Sequence, residues 1–206
     1  MSNRTICNRK RFVALLAGLT ASVGAFPADI AIFDGTARAP YALMIGDKGN
    51  WGIPVGDGQT ASAMGYLTVT TDAETGARRA EWNGKGEAQL FLASPEPADL
   101  SAAVAADAAL VMVLSVQQPP RRSATLRMGC GYPCSANADI GKLLKALPAD
   151  EWLRVTVDLK CFVDGGLDAA NVDTPFLLIA DKRMTLSIAD VRIVDGAGPD
   201  AIIRCR

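Results

Sequence analysis

Arg154-Val155-Thr156-Val157-Asp158-Leu159 alternates polar and apolar side chains without a break. Successive side chains of an extended chain point to opposite faces, so this run reads as a strand with one face in a core and the other in water. Segments 41–46, 66–70, 88–92, 110–116, 124–128, 176–180 and 184–194 are similar short apolar runs, separated by Gly, Pro, Asp and Asn. Many short strands punctuated by turn residues make the pattern of a sandwich or barrel. In 184–194 the phase slips: Leu186 and Ile188 face one way, and Val191 and Ile193 rejoin that face only across a bulge at Ala189 and Asp190. One short helix is expected, because Asp139 can cap, Ile140, Leu143, Leu144 and Leu147 recur at helical spacing, and Pro148 stops the run. It should lie across one end of the sandwich. The Ala-rich stretch 101–109 reads either as a short turn of helix or as a surface loop. No internal repeat, low-complexity tract or interdomain linker interrupts the pattern.

The N-terminus sets the compartment. Arg4, Arg9, Lys10 and Arg11 precede an apolar run over 12–23 that ends in Val23, Gly24 and Ala25, the small-residue pattern a signal peptidase accepts. Residues 1–25 therefore read as a secretory signal peptide and 26–206 as one domain, secreted or periplasmic. The run is shorter than the roughly 20 residues a bilayer span needs, so no transmembrane segment is expected. Cys7 lies before the run and is expected to be lost with it. Removing those four cations from 21 leaves 17 against 22 acids, a net charge near −5. A polyanion would be repelled, so nucleic acid is not an expected partner.

Four cysteines remain: Cys130, Cys134, Cys161 and Cys205. An even number in an oxidising compartment points to disulfides, and three pairings are open. The Gly-Tyr-Pro insert between Cys130 and Cys134 forms a turn that can bring their sulfurs together, which leaves Cys161 for Cys205 at the C-terminal tail.

The chain has no histidine. That removes Ser-His-Asp and Cys-His catalysis and the common zinc motifs. The glycine-rich stretch Gly46-Asp47-Lys48-Gly49-Asn50-Trp51-Gly52 lacks the spacing and following helix of a phosphate-binding loop and reads as a turn-rich loop. Paired carboxylates remain the one catalytic route, since glycoside hydrolysis needs only an acid and a nucleophile or base. Glu74, Glu81, Glu87, Glu96 and Glu151 are available, and solvated strand faces and turns account for them equally well.

A sugar-binding surface needs exposed aromatic rings to stack on pyranose faces and polar groups to bond the hydroxyls. Trp51 in the glycine-rich loop and Tyr132 in the cysteine turn are the candidates for exposed rings. Trp82 begins Trp82-Asn83-Gly84-Lys85-Gly86-Glu87, a turn in which Lys85 and Glu87 offer polar contacts. Core packing is the alternative reading for each tryptophan, most of all for Trp152 beside the helix. No cofactor is implied. A structural calcium is the one ion considered, with Asp47, Asp57, Asp164, Asp168 and Asp173 as loop oxygens.

Several segments carry a resemblance. Phe33-Asp34-Gly35 with Arg38-Ala39-Pro40-Tyr41, Gly46-Asp47 with Gly49-Asn50-Trp51, Ala77-Arg78-Arg79 with Trp82-Asn83-Gly84-Lys85-Gly86, Met128-Gly129-Cys130-Gly131-Tyr132-Pro133-Cys134, Leu159-Lys160-Cys161-Phe162 and Asp173-Thr174-Pro175-Phe176-Leu177-Leu178 occur in that order. Together they resemble the C-terminal domain of ExoP-type bacterial family 3 glycoside hydrolases. The resemblance implies an all-β, galactose-binding-like jelly-roll sandwich, which in those enzymes follows the catalytic domains of exo-acting β-glucan hydrolases. The family's catalytic aspartate and acid lie in those preceding domains, so no catalytic residue carries over to this chain, where the signal peptide is expected to stand directly before the sandwich. Two functions follow as expectations. One is a non-catalytic module that recognises β-glucan or a related oligosaccharide or polysaccharide and assists a glycoside hydrolase. The other is a structural or protein-interaction sandwich without sugar binding.

Overall fold

The computed structural model describes residues 29–196 and 202–203. The expected signal peptide and Cys205 lie outside these residues. Fourteen strands are described, β1 (Asp29–Asp34), β2 (Ala42–Asp47), β3 (Asn50–Pro54), β4 (Gln59–Ala61), β5 (Leu67–Thr71), β6 (Arg78–Trp82), β7 (Ala88–Ala93), β8 (Ala109–Gln118), β9 (Ala124–Gly129), β10 (Ser135–Asp139), β11 (Trp152–Asp158), β12 (Thr174–Ala180), β13 (Met184–Val194) and β14 (Ile202–Ile203). They form two sheets. One runs β14-β11-β8-β13-β6-β5-β4, with β1 also paired to β13; the other runs β10-β9-β12-β7-β2-β3. All pairs are antiparallel except β11 with β14. The chain is an all-β sandwich, as the alternation predicts.

Period-two burial sets the two layers. Ala88, Leu90 and Leu92 of β7 and Ala124, Leu126 and Met128 of β9 face the core from one sheet; Val155 and Val157 of β11 and Leu186, Ile188, Val191 and Ile193 of β13 face it from the other. The slip in β13 is present, since its register against β8 shifts between Ile188 and Asp190. Ala189, freed from the ladder's spacing, accepts a hydrogen bond from the Gly35 amide at 3.0 Å.

Three short α-helices form rather than one: α1 (Ser101–Ala105), α2 (Gly141–Ala146) and α3 (Leu159–Asp164). The Ala-rich stretch thus takes its helical reading. Helix α2 starts later than the spacing suggests because Asp139 is spent as the last residue of β10, although its carboxylate still accepts from the Gly141 amide at 2.9 Å. Leu159, expected as a strand residue, instead opens α3, which buries Leu159, Cys161 and Phe162. The alternation and the helix place Leu159 in the core by different routes. No helix among the described residues is long and apolar enough to cross a membrane.

Cys130 and Cys134 are bonded to each other, as the Gly-Tyr-Pro turn suggests. Cys161 is also disulfide-bonded.

Candidate functional site

The glycine-rich stretch 46–52 is a tight hairpin and not a loop: β2 ends at Asp47 and β3 begins at Asn50. Asp47 is fully buried. Its Oδ1 accepts from the Gly49 amide at 2.9 Å and its Oδ2 from the Met64 amide at 2.7 Å. Burial pushes the carboxyl's pKa up, but hydrogen bonds from the Ser62 hydroxyl and from the Gly49, Met64 and Asn50 amides outweigh it, and the net shift is downward. One carboxylate thereby ties the β2–β3 turn to the chain between β4 and β5. A carboxylate consumed by its own loop is a structural brace.

Trp51 follows that turn on β3 and is 48 % exposed. A Cβ at Gly46 would lie 2.3 Å from the Trp51 carbonyl oxygen, so only glycine lets the Trp51 backbone cross β2 there. The Trp51 carbonyl also accepts from the Gln89 side-chain amide at 3.1 Å. These two contacts seat Trp51 at the rim of the six-stranded sheet's outer face.

That face mixes apolar and polar side chains. One cross-strand row runs Met44–Phe91–Leu177–Arg127–Asn137, with the Met44, Phe91, Leu177 and Arg127 side chains partly exposed and Asn137 exposed. Its neighbour runs Gly46–Gln89–Ile179–Thr125–Asp139. Four spacings of about 4.8 Å make the first row roughly 19 Å long. Apolar side chains run from one end of it through the centre and polar ones take the other end, where Arg127 donates to the Asn137 side-chain oxygen at 2.7 Å, which orients both. Flat apolar surface bordered by oriented donors and acceptors can stack sugar rings and bond their hydroxyls. Phe91, Leu177, Arg127 and Asn137 are absent from the sequence candidates. Alternation in 88–92 and 176–180 marks Phe91, Leu177 and Ile179 as facing away from the core, but neighbours in a row come from strands far apart in sequence.

The five ligand candidates separate. Trp51, Lys85 and Glu87 gather at one end of the sandwich, because Asp47 pairs with Ala88 and the β6–β7 turn lies there. Lys85 and Glu87 are exposed, and the Lys85 amide is held by the Asn83 side chain at 2.9 Å. Trp82 lies beneath this turn in the core, 2 % exposed, with its indole N–H bonded to the Ala88 carbonyl at 3.0 Å. It cannot stack on a ligand from there; it supports the turn. Tyr132 is fully exposed at the tip of the β9–β10 hairpin, at the opposite end and the opposite edge of the sheet from Trp51. Trp152, expected in the core, is 49 % exposed. The alternation that places Val155 and Val157 inside, carried back two residues, places Leu153 inside and Trp152 outside.

Of the carboxylates, Glu81 is paired with Arg79 at 2.6 Å. Among the described residues no group of three or more acidic or cysteine side chains gathers as a metal site.

A family model described as Exop_C, galactose-binding domain-like, matches residues 39–193. A search of curated proteins finds no match. Among solved structures, the extra C-terminal domain of the exo-1,3/1,4-β-glucanase ExoP from a Pseudoalteromonas species superposes with a TM-score of 0.70 at 17 % identity, covering 86 % of this chain and 99 % of that domain. In the complete ExoP chain the matched part is 22 % of the length. A family 30 carbohydrate-binding module of a cellulosomal cellulase from Clostridium thermocellum matches with a TM-score of 0.57 at 16 % identity, over 83 % of this chain and 99 % of the module. A family 11 carbohydrate-binding module from the same organism, solved with a β-1,3-1,4-mixed-linked tetrasaccharide, matches with a TM-score of 0.50 at 10 % identity, over 85 % and 98 %. At these identities the likeness is one of fold.

Proposed function

We propose, for a chain that belongs to the Exop_C family of galactose-binding domain-like modules, that it is a secreted, non-catalytic module binding a neutral polysaccharide, of β-glucan type, across the outer face of its six-stranded sheet. The observation that carries this reading is the row Met44–Phe91–Leu177–Arg127–Asn137, apolar through the centre and polar at one end, with Trp51 at its rim. A glycan chain offers the same combination of apolar ring faces and hydroxyl edges. The positively charged and apolar N-terminal segment supports export. The sandwich fold shared with carbohydrate-binding modules supports the ligand class, and the family's place beside β-glucan hydrolases supports the choice of glycan.

Affinity electrophoresis in gels containing soluble mixed-linked β-glucan tests it. Retardation is expected, and Trp51→Ala and Phe91→Ala should each reduce it. Unretarded migration across a panel of neutral glycans would reject the reading. The same partly exposed apolar centre, Met44, Phe91, Leu177 and Ile179, also suits packing against another protein, such as a glycoside hydrolase. In that case a pull-down would recover a hydrolase and Trp51→Ala would leave glycan migration unaffected.

A further inference from the structure

The outer face of the other sheet has a groove of about 500 Å³, walled by Trp152 on one side and by the turn 71–77 on the other. A single cross-strand row runs beneath it: Trp152 pairs with Ser115, which is buried, Ser115 with Ser187, Ser187 with Arg79, and Arg79 with Thr70, and of these Trp152, Ser187, Arg79 and Thr70 line the groove. Four spacings again give a length of roughly 19 Å. The volume falls within the range of small-ligand sites.

The chemistry of this groove is specific. Its cation is paired, since the Arg79 Nε donates to Glu81 at 2.6 Å, and Asp72 leaves the groove slightly negative. Asp72 is occupied by its own turn, accepting from the Glu74 amide at 3.1 Å and from the Thr75 amide and hydroxyl at 2.8 Å each. The Ser187 hydroxyl donates to the Gln117 side-chain oxygen at 3.4 Å, the Thr71 hydroxyl to the Gly56 carbonyl at 3.5 Å and the Thr75 hydroxyl to Asp72 at 2.8 Å, so these oxygens keep lone pairs as acceptors, beside the Thr70 side chain and the half-exposed indole of Trp152. An anion meets a cation already paired with Glu81 and the negative charge of Asp72, and an apolar helix finds too little apolar surface. A neutral ligand with one apolar face and a rim of hydroxyls satisfies both the ring and the polar floor.

We infer that this groove is a second saccharide subsite, separate from the six-stranded face and served by Trp152. The inference takes its ligand class from the function proposed above and rests otherwise on its own geometry. The two faces look away from each other across the sandwich, whose sheets pack about 10 Å apart, so each takes its own stretch of glycan. The module would then bridge two chains, or two segments of one, with the gain in retention that linked sites provide.

The chain has three tryptophans, and they report on three different places. Trp51 marks the rim of the six-stranded face, Trp152 marks the groove, and Trp82 in the core is the internal control. Their indole N–H resonances, assigned by substitution, are followed while a β-1,3-1,4-linked glucan tetrasaccharide and a panel of neutral tetrasaccharides are added. A saturable shift of the Trp152 resonance that survives Phe91→Ala is expected, with Trp82 unmoved. Trp152→Ala removes the groove's own reporter, so its effect is read by calorimetry: the affinity of the second binding event should fall roughly tenfold or more while the Trp51 resonance still responds. If Trp51 responds and Trp152 does not, the second subsite is rejected and the first reading stands. If neither responds to any saccharide, both are rejected. Loss of the Trp152 shift in a folded Phe91→Ala variant would overturn the separateness of the two sites.

Discussion

The two ends of the sandwich are closed by different chemistry. At the end that carries Trp51, Lys85 and Glu87, the tie is Asp47, a buried carboxylate that accepts amide hydrogen bonds from residues 2 and 17 positions away. At the other end, one tie is the bond between Cys130 and Cys134, 4 positions apart, which closes the turn carrying Tyr132. The first tie joins the β2–β3 turn to the chain between β4 and β5, where Lys48 also lies over the Tyr66 ring at 5.8 Å, and it is strongest while the carboxyl is ionised. The second resists titration but spans one tight turn, so it restricts the unfolded chain little. The hydrogen-bonded brace is therefore expected to contribute at least as much to this fold as the short covalent link.

Substitutions break or sharpen this contrast. Trp82→Ala empties the core beneath the Asp47 end and should cost about 3–5 kcal/mol in chemical denaturation; Trp82→Phe, which keeps most of the volume and loses the bond to Ala88, should cost far less. Asp47→Ala leaves the Gly49 and Met64 amides without their acceptor and should cost about 2–4 kcal/mol, while reducing glycan retention through displacement of Trp51. The pH dependence separates the ends as well. The carboxyl of Asp47 sits below its ordinary value of 3.8 when folded, so its stabilisation is complete above that pH and lost as the pH falls through the lower folded value. Acid titration of stability should show this limb in the parent protein and in a Cys130→Ser, Cys134→Ser double variant, and lose it in Asp47→Asn. The double variant itself should lose about 2 kcal/mol, the figure for so short a closed loop. A larger loss than that from Asp47→Ala would reverse the ranking of the two ties. Trp152→Ala, at a half-exposed strand position, should change stability by no more than about 0.5 kcal/mol, which makes it a clean probe of binding.

Much of the fold is legible in local pattern. Residues 184–194 form a strand with its bulge at Ala189 because an inserted residue shifts side-chain phase by one, and phase is visible in sequence. The β9–β10 turn is legible because Gly-Tyr-Pro between two cysteines leaves few other geometries. Strand β6 is less so: Arg78 is an unexpected inward residue, held over the Phe33 ring at 5.7 Å and bonded to the Gly76 carbonyl at 2.6 Å. Its burial hides the alternation that sends Ala80 and Trp82 inward, which leaves a core reading and a turn reading of Trp82 side by side until the structure places it in the core. Residues 135–139 escape the pattern for another reason. Ser-Ala-Asn-Ala-Asp has small side chains on its buried face, which periodicity based on bulky apolar residues does not register.

The candidate site divides along the same line. By itself the sequence determined the all-β class and the alternation of each strong strand, and it favoured the closure of Cys130 with Cys134 among three pairings, because these depend on neighbours a few residues apart. It also contained the exposure of Trp152, in the phase of Leu153, Val155 and Val157. Only the tertiary structure decided that Phe91 lies between Met44 and Leu177, that Trp152 shares a row with Ser187 and Arg79, and that Tyr132 stands far from Trp51. Each of those relations depends on which strands pair and in what register, and pairing energies between distant segments leave no periodic trace in the chain that makes them.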